Sequence, residues 1–343
     1  MSPINLTYTG MLPGVKKRRK KEAPPSTTHK PTVLTMLRPP VTILSSLYGV
    51  EKAALGEAEL TRVRKHLTAV QKDWYDSAKS LSYPLYQEDE RFLWTPRFYG
   101  LQKWGAPTHN QLQTGIPMQD GVTFHARLDE TRHQQTSFDR IVKAFRDPLA
   151  GGGMLCLPCG FGKTVVSLAA AIEGVRQVHG TPVKTMVLLH KDDSVEQWRE
   201  RIGQYVHGVR VGVLQGSKCE IKETDLVLAM VQSLASRSYP DLDDIGLLVV
   251  DEGHHMAAPN FKNALAKIRP KWILCLTATP QRADGLQYVL HMYMGPILFQ
   301  TTRAITGKER VRMVKYVDPS QREISTKSGK PLTAVMHKRM RMD

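Results

Sequence analysis

From about residue 119 the chain alternates between short apolar runs and segments with the spacing of amphipathic helices. The apolar runs are GGMLCLP, KTMVLLH, VRVGVLQG, DLVLAMVQS, IGLLVVDEGHH and KWILCLTAT. The helical segments between them include KTVVSLAAAIEGVRQV, SVEQWRERIGQYV and NFKNALAKIR. Near-continuous apolar runs are typical of strands covered on both sheet faces, and their alternation with helices predicts right-handed crossovers and a parallel sheet. The pattern therefore predicts an α/β fold whose active residues follow the carboxyl ends of strands.

The same pattern divides the chain into four segments. We predict a basic tail at 1–31, a small accessory domain at 32–118, the α/β domain at 119–318 and a linker at 319–343. The accessory domain contains the aromatic stretch RFLWTPRFYGLQKWGAP. Such rings can stack on nucleic-acid bases, but we interpret them as the core of a small α+β domain.

Charge and cysteine content narrow the class of protein. The formal net charge is +16 and the pI about 9.7, which favours a polyanionic partner, nucleic acid before an acidic membrane surface; a generally basic protein is the alternative. Six consecutive basic residues, Lys16 to Lys21, fit a nuclear-import signal, a phosphate-binding arm or a solvated charge run. No apolar run has the length of a membrane span, and the start lacks a signal-peptide pattern. The 4 cysteines are too few for a disulfide framework and indicate a reducing compartment.

The segment LCLPCGFGKT, residues 155–164, has the composition of a phosphate-binding loop. Gly160 and Gly162 allow backbone N–H groups to turn toward phosphate oxygens, and the following helix adds its dipole. Lys163 would reach the β- and γ-phosphates, and the Thr164 hydroxyl would hold Mg²⁺. The sequence departs from the strict G-x-x-x-x-G-K-[ST] pattern at Leu157, where that pattern has glycine.

The same segment contains a C-x-x-C pair, Cys156 and Cys159, which suggests redox chemistry or half a zinc site. Either role would compete with the nucleotide for the same backbone. A zinc tetrad also needs a second ligand pair, whereas Cys219 and Cys275 are isolated in the sequence. We interpret the C-x-x-C pair as packing.

Two further groups of polar residues follow apolar runs. Asp251 and Glu252 end LLVV, where one carboxylate would hold Mg²⁺ and the other would orient and deprotonate the attacking water. Thr277 and Thr279 end the run before Pro280, where hydroxyls would relay the state of the γ-phosphate; the alternative for each is an ordinary turn or cap residue.

The order G-K-T, D-E-x-H, T-A-T resembles motifs I, II and III of superfamily 2 helicases. The segments LPCGFGKT, HKDDSVEQWRERI, MVQSL, VVDEGHH and LTATPQRADGL are similar to the xeroderma-pigmentosum-B-like group, and among its members to the transcript-release DNA helicases of poxviruses and giant viruses. The resemblance spans roughly 90–318. It implies a RecA-like P-loop NTPase lobe that uses ATP and Mg²⁺, a DNA helicase acting in transcript release or repair, and a location in the nucleus, a viral factory or a virion.

The resemblance also carries over individual residues. Arg132 and Gln135 match the motif in which glutamine reads the adenine edge, with Gln134 as the adjacent register. His254 matches the residue that couples the acid box to motif III. The residues that match the grip on a nucleic-acid backbone, with DNA favoured over RNA, are His190, Lys191, Gln232 and Ser233.

The family's motor has a second lobe that supplies an arginine finger from a Q-x-x-G-R-x-x-R segment. The 343 residues contain no such pattern, so we expect a fragment, a split gene product or a one-lobe protein. We therefore expect the chain alone to bind Mg-ATP and nucleic acid weakly and to hydrolyse ATP slowly, and a polypeptide that carries the second lobe to restore turnover. The expected protein partners are such a polypeptide or the transcription machinery. The alternative is a non-catalytic nucleic-acid-binding subunit of a transcription assembly.

Overall fold

The structure is a computed structural model that describes residues 39–71, 81–255, 259–278 and 286–302. The basic run Lys16 to Lys21, Thr279 and the predicted linker 319–343 lie outside these ranges. The chain divides into two compact units, Met1–Gln111 and Leu112–Asp343. The border thus falls a few residues before the one predicted at 118, and each unit is described by itself.

The first unit is an α+β domain, as predicted. Its strands and helices are β1 Thr42–Leu44, β2 Tyr48–Glu51, α1 Lys52–His66, β3 Thr68–Gln71, β4 Leu81–Pro84, β5 Gln87–Glu88, β6 Phe92–Thr95, α2 Arg97–Trp104 and β7 His109–Asn110. One sheet has the order β5-β6-β2-β1-β7, antiparallel except between β1 and β7, and β3 pairs with β4 as a separate antiparallel ribbon.

The aromatic stretch of this unit packs inside it. Phe92, Phe98 and Tyr99 are buried, and the ring of Trp104 stacks on that of Tyr48 at a centroid distance of 5.9 Å. Buried rings are not available for stacking on bases, so the packing favours the core interpretation of the stretch.

The second unit contains the α/β fold. Its strands are β8 Thr123–Phe124, β9 Gly152–Cys156, β10 Thr185–Leu189, β11 Val206–His207, β12 Val211–Gln215, β13 Lys218–Cys219, β14 Leu226–Met230, β15 Leu247–Val250, β16 Trp272–Thr277 and β17 Ile297–Gln300. Its helices are α3 Gln134–Phe145, α4 Lys163–Ala169, α5 Val175–His179, α6 Asp192–Tyr205, α7 Val231–Ser236, α8 Pro259–Leu265 and α9 Gln287–Met294. Helix α4 continues into α5 through a π-helical turn, Ala170–Gly174. None of the helices described in the chain is long and apolar enough to cross a membrane.

The predicted parallel sheet is confirmed. Eight strands lie in the order β13-β12-β14-β10-β15-β16-β9-β17, and every neighbouring pair except β12 and β13 is parallel. Strands β10, β14, β15 and β16 are buried at each residue, which requires cover on both faces and explains their uninterrupted apolar sequences.

The parallel strands bring the polar motifs to one edge of the sheet. The G-K-T loop follows β9, His190 follows β10, Gln232 lies just after β14, and Asp251 follows β15. Because all four strands run in the same direction, residues far apart in sequence meet at their carboxyl ends.

The segment 112–118 belongs to the second unit. The backbone N–H groups of Gln113, Ile116 and Met118 donate to the carbonyls of Arg269, Asp244 and Pro182. These bonds hold the segment across the loops at the amino ends of the strands. Because these bonds involve backbone atoms alone, the pattern of side chains in the sequence does not predict them.

Asp225 is the first residue whose replacement we expect to be costly. It is buried, and although burial disfavours its charged form, hydrogen bonds from Arg210 and from the backbone N–H groups of Arg210 and Gln119 hold the pKa of the carboxyl below its usual value. Asp225→Asn is expected to lower the free energy of unfolding by about 2 kcal/mol at neutral pH. The loss should shrink as the pH falls below about 4, since protonation then removes the same charge from the unchanged chain.

Urea denaturation of both chains at several pH values measures this effect. The control is Asp243→Asn, because Asp243 is exposed and pairs with Arg269 at the surface. We expect that change to cost no more than about 1 kcal/mol. Equal losses from the two substitutions would contradict the assignment of Asp225 as a buried tie between segments.

Candidate active site

A glycine turn connects β9 to α4. Gly160 and Gly162 have φ values of 83° and 85°, the left-handed region that L side chains rarely adopt. A Cβ atom at Gly162 would overlap the side-chain amide of Gln134. The turn therefore needs glycine at position 162 for two reasons, backbone conformation and space, and it places backbone N–H groups ahead of the helix N-terminus.

Gln134 closes the other side of this turn. Its Nε2 donates to the Phe161 carbonyl at 3.0 Å, and its Oε1 accepts from the Asp129 backbone N–H at 2.9 Å. Gln135 instead donates to Asp139 at 2.9 Å on the exposed side of α3. We therefore correct the predicted register: Gln134, and not Gln135, lines the cleft between the glycine turn and the acid pair, the candidate nucleotide cleft. The inward face of α3 carries Gln134 together with Ser137 and Phe138, one turn on.

Arg132 lines the same cleft as Gln134. Its Nε is 3.3 Å from Asp129 Oδ2, and its Nη1 donates to the Gly160 carbonyl at 3.4 Å. The guanidinium is more than half exposed, so it remains available to an anion that enters the cleft.

Lys163 points from the turn toward the acid pair. Its Nζ donates to the Leu157 carbonyl at 3.3 Å and lies 4.0 Å from Glu252 Oε1. Leu157 departs from the strict loop pattern, yet its backbone carbonyl is what holds the lysine amine in place. The predicted convergence of the glycine turn with the strand-end acids is thus present in the structure.

Asp251 is the more buried of the two acids. Its Oδ1 accepts from the backbone N–H of Glu252 at 2.9 Å, and its Oδ2 accepts from the indole N–H of Trp198 at 2.8 Å. Burial raises the pKa of Asp251, while the Trp198 N–H acts in the opposite direction. Asp251 is only partly buried, and its carboxylate oxygens are ligands of the type that Mg²⁺ prefers.

Glu252 has an unusual backbone for a side-chain-bearing residue, with φ at 49°. A non-glycine residue in this region costs about 1–2 kcal/mol, and such strain concentrates at functional sites. His254 Nδ1 lies 3.2 Å from both Glu252 Oε2 and Thr277 Oγ1, so its ring lies between the acid and the end of β16. Thr279, the other predicted coupling residue, lies outside the described residues.

A cleft of about 650 Å³ unites these groups, a volume in the range of small-molecule sites. Its lining includes Arg132, Gln134, Gly160, Gly162, Lys163, Thr164, Asp251 and Glu252. Sequence reasoning did not anticipate several other lining residues, namely Arg127, Asp129, Arg201 and Tyr205. Only their positions in space identify them: Arg127 and Asp129 lie in the loop before α3, and Arg201 and Tyr205 lie in the second half of α6.

The four predicted nucleic-acid contacts also meet. His190, Lys191, Gln232 and Ser233 line one cleft of about 550 Å³, where Gln232 Nε2 donates to the His190 carbonyl and Ser233 Oγ accepts from Gly216 N–H. A third cleft of about 500 Å³ lies between the two, because it shares Asp251 and Glu252 with the nucleotide cleft and His190 and Lys191 with the other.

The cysteines are all free. Cys156 and Cys275 are buried, whereas Cys159 and Cys219 are exposed. Burial raises the pKa of the Cys156 thiol to about 11, so it stays protonated at neutral pH and is a poor nucleophile or metal ligand. Cys159 lies in the phosphate loop and lines the nucleotide cleft. In the described part of the chain no group of three or more His, Cys, Asp or Glu is arranged to hold a metal ion.

Gly162→Ala is expected to prevent nucleotide binding and to destabilise the second unit by about 2 kcal/mol, because the left-handed backbone strains any L side chain and the new methyl group displaces the Gln134 amide from the Phe161 carbonyl. Gly180→Ala is the matched control, since Gly180 has a similar φ of 90° with no atom near its absent Cβ. Thermal unfolding and binding of a fluorescent ATP analogue distinguish the two. Equal behaviour of the two variants would show that space at Gly162 is unimportant.

The comparisons with known proteins agree with this geometry. The family described as type III restriction enzyme, res subunit, matches residues 127–282. L396 of Acanthamoeba polyphaga mimivirus, named as an ATP-dependent RNA helicase, is 31% identical over 291 residues, covering 79% of this chain and 53% of L396. The DNA 3'-5' translocase XPB2 of Sulfurisphaera tokodaii is 28% identical over 157 residues, 46% of this chain and 34% of that protein. The chain thus spans about half of the first relative and a third of the second.

A solved structure shows the same fold. The UvsW helicase of bacteriophage T4 aligns with a TM-score of 0.51 at 12% identity, over 76% of this chain and 99% of that chain. Together with the motifs gathered at the strand ends, these relatives identify the α/β unit as a RecA-like P-loop NTPase lobe. The chain thus resembles the first lobe of superfamily 2 DExH helicases and is similar to xeroderma-pigmentosum-B-like and large-virus members of that group.

Proposed function

We propose that the chain is the ATP-binding lobe of a DNA-directed helicase or translocase acting in viral-type transcript release or in repair. The observation that carries the proposal is the 4.0 Å approach of Lys163 to Glu252 in a cleft that the third cleft connects to the one lined by His190, Lys191, Gln232 and Ser233. A motor needs its nucleotide site close to its nucleic-acid site, because hydrolysis at the first must change the affinity at the second.

The residues of the cleft have separable tasks in ATP hydrolysis. The backbone N–H groups of the glycine turn and Lys163 bind the phosphates and stabilise the charge that develops in the transition state. Glu252 accepts a proton from the water that attacks the γ-phosphorus, and the bond to the ADP oxygen breaks as ADP and phosphate form. Gln134 and Arg132 lie where they would contact the base or ribose side of the nucleotide.

The donor set fits Mg²⁺. Thr164 and Asp251 would hold the ion together with phosphate oxygens and water, and oxygen ligands of this kind are the ones that Mg²⁺ prefers. When bound, the ion neutralises charge on the β- and γ-phosphates. His254 lies between Glu252 and Thr277 and would pass the state of the phosphate to β16.

The excess of basic residues, +16 in all, supports a nucleic-acid track of either kind. The proposal of DNA rests on the relative from Sulfurisphaera tokodaii, which is named a DNA translocase; the mimivirus relative is named for RNA, so RNA is the other arm of the test. The basic run Lys16 to Lys21 fits a protein that works in the nucleus, a viral factory or a virion. A second-lobe polypeptide or the transcription machinery would be its protein partner.

ATP hydrolysis by the purified 343-residue chain, with single-stranded DNA, duplex DNA or RNA, tests the proposal. Because the sequence lacks the Q-x-x-G-R-x-x-R segment, we expect Mg-ATP binding with slow turnover, raised by a polypeptide that supplies a second lobe and by DNA more than by RNA. Mg-ATP binding without any turnover under all these conditions would favour the other candidate, a non-catalytic nucleic-acid-binding subunit. Absence of nucleotide binding would refute both.

A further inference from the structure

Trp198 is a buried residue of α6 that contacts the active site through a single polar atom. It is 2% exposed, and its indole N–H donates to Asp251 Oδ2 at 2.8 Å. A buried tryptophan usually finds a hydrogen-bond acceptor for its indole N–H. Here the indole dipole ends on a carboxylate to which we assign a Mg²⁺-binding role, so the residue does more than fill space.

The two oxygens of Asp251 depend on different parts of the chain. Oδ1 accepts from the backbone N–H of Glu252, the next residue, so this bond is local. Oδ2 accepts from Trp198, 53 residues earlier in the sequence. Of these two contacts, only the second changes when α6 moves relative to β15. The orientation of the carboxylate plane is therefore sensitive to the position of α6.

Helix α6 also reaches the proposed nucleic-acid cleft. Its first turn contributes Asp192 and Asp193 to that cleft, and Asp193 and Ser194 line the intermediate cleft. Trp198 lies one turn after Ser194 and therefore on the same face of the helix. Val195, Trp198 and Ile202 anchor this face in the core, so a shift of the first turn is transmitted along the helix to the indole.

We propose that Trp198 is a positioning residue that orients the Asp251 carboxylate for the metal and couples this orientation to nucleic acid bound at Lys191, the basic residue directly before α6. The inference rests on the proposed function of the two clefts. Hydrogen bonds weaken steeply with misalignment, and partners of metal ligands typically change metal affinity by about tenfold or more when removed. Nucleic acid that fixes the position of α6 would thus tighten the binding of metal and nucleotide. By linkage, bound metal and nucleotide would tighten the binding of nucleic acid.

Trp198→Phe keeps the aromatic packing and removes the N–H donor. Its matched control is Trp272→Phe, because Trp272 is equally buried and donates to the Phe145 carbonyl at 3.0 Å, at the opposite, amino-terminal end of β16. Mn²⁺ binding in the presence of the analogue AMP-PNP, measured by electron paramagnetic resonance with and without an oligothymidylate, reports on the metal site without turnover.

We expect Trp198→Phe to weaken Mn²⁺ binding about tenfold and to abolish the tightening that the oligothymidylate causes, whereas Trp272→Phe should change neither. Equal Mn²⁺ affinity and equal tightening in Trp198→Phe and the unchanged chain would overturn the inference alone. Failure of the unchanged chain to bind Mn²⁺ with AMP-PNP would overturn the proposed function and the inference together.

A second measurement uses the unchanged chain and so does not depend on the folding of a variant. The indole ¹⁵N–¹H resonances of its 5 tryptophans are recorded with and without Mg²⁺ and AMP-PNP, and then with the oligothymidylate. The Trp198 signal should shift at both additions while that of Trp272 stays in place. A Trp198 resonance whose chemical shift does not change when the oligothymidylate is added would refute the coupling.

Discussion

Replacing Lys163 with alanine is expected to lower the rate of ATP hydrolysis by about a hundredfold or more. The amine lies in the cleft beside Glu252 and is held there by the Leu157 carbonyl. It is the cationic side chain that the glycine turn places next to the strand-end acids. Its loss removes both an attraction for the triphosphate and a donor to the charge that develops during phosphoryl transfer.

Single-turnover hydrolysis of labelled ATP, with the second-lobe polypeptide present, measures this loss. Lys143→Ala is the matched control, because Lys143 is an exposed lysine on α3 and its removal lowers the net charge equally. Hydrolysis that survives in Lys163→Ala at the level of Lys143→Ala would show that the glycine turn is not the phosphate site.

Replacing Glu252 with glutamine is expected to separate binding from chemistry. The amide keeps the size of the side chain but cannot accept a proton from water, and general-base catalysis contributes about a hundredfold to ten-thousandfold. Hydrolysis should fall by that factor while the affinity for Mg-ATP stays nearly unchanged, because Thr164, Asp251 and Lys163 remain. The variant should therefore accumulate as a stable complex with ATP.

The control for this change is Glu196→Gln, an exposed acid on α6 with its side chain 80% accessible. Equilibrium binding of a fluorescent ATP analogue and single-turnover hydrolysis are measured on both variants. If Glu252→Gln lost nucleotide binding as well as hydrolysis, the acid would be a ligand of the nucleotide or of its ion, and the base would have to be sought elsewhere in the cleft.

Part of the site was accessible to local reasoning because each motif is a mechanical unit. Gly160 and Gly162 can be recognised from the sequence because a left-handed backbone favours glycine. Asp251 and Glu252 can be recognised because two adjacent acids after LLVV have few structural uses. Parallel strands then bring such units to one edge, as the alternating pattern predicted.

Register within a helix was harder to read. The sequence RHQQ offers two adjacent glutamines, and the pattern match pointed to Gln135. The inward face of α3 is set by packing of Phe138 and Ile141 against the core, which turns Gln134 toward the phosphate loop. A difference of one residue rotates a side chain by about 100° around a helix, and a motif match alone does not resolve that rotation.

The sequence by itself determined the α/β class, the strand ends that carry chemistry and the identity of Lys163, Asp251 and Glu252, because these depend on local backbone needs and on hydrophobic periodicity. Tertiary structure alone decided which glutamine faces the cleft, that 112–118 binds to the second unit, and that Trp198 donates to Asp251. Contacts of this kind join segments distant in sequence, and their geometry is set by how helices pack on the sheet, which no local pattern encodes.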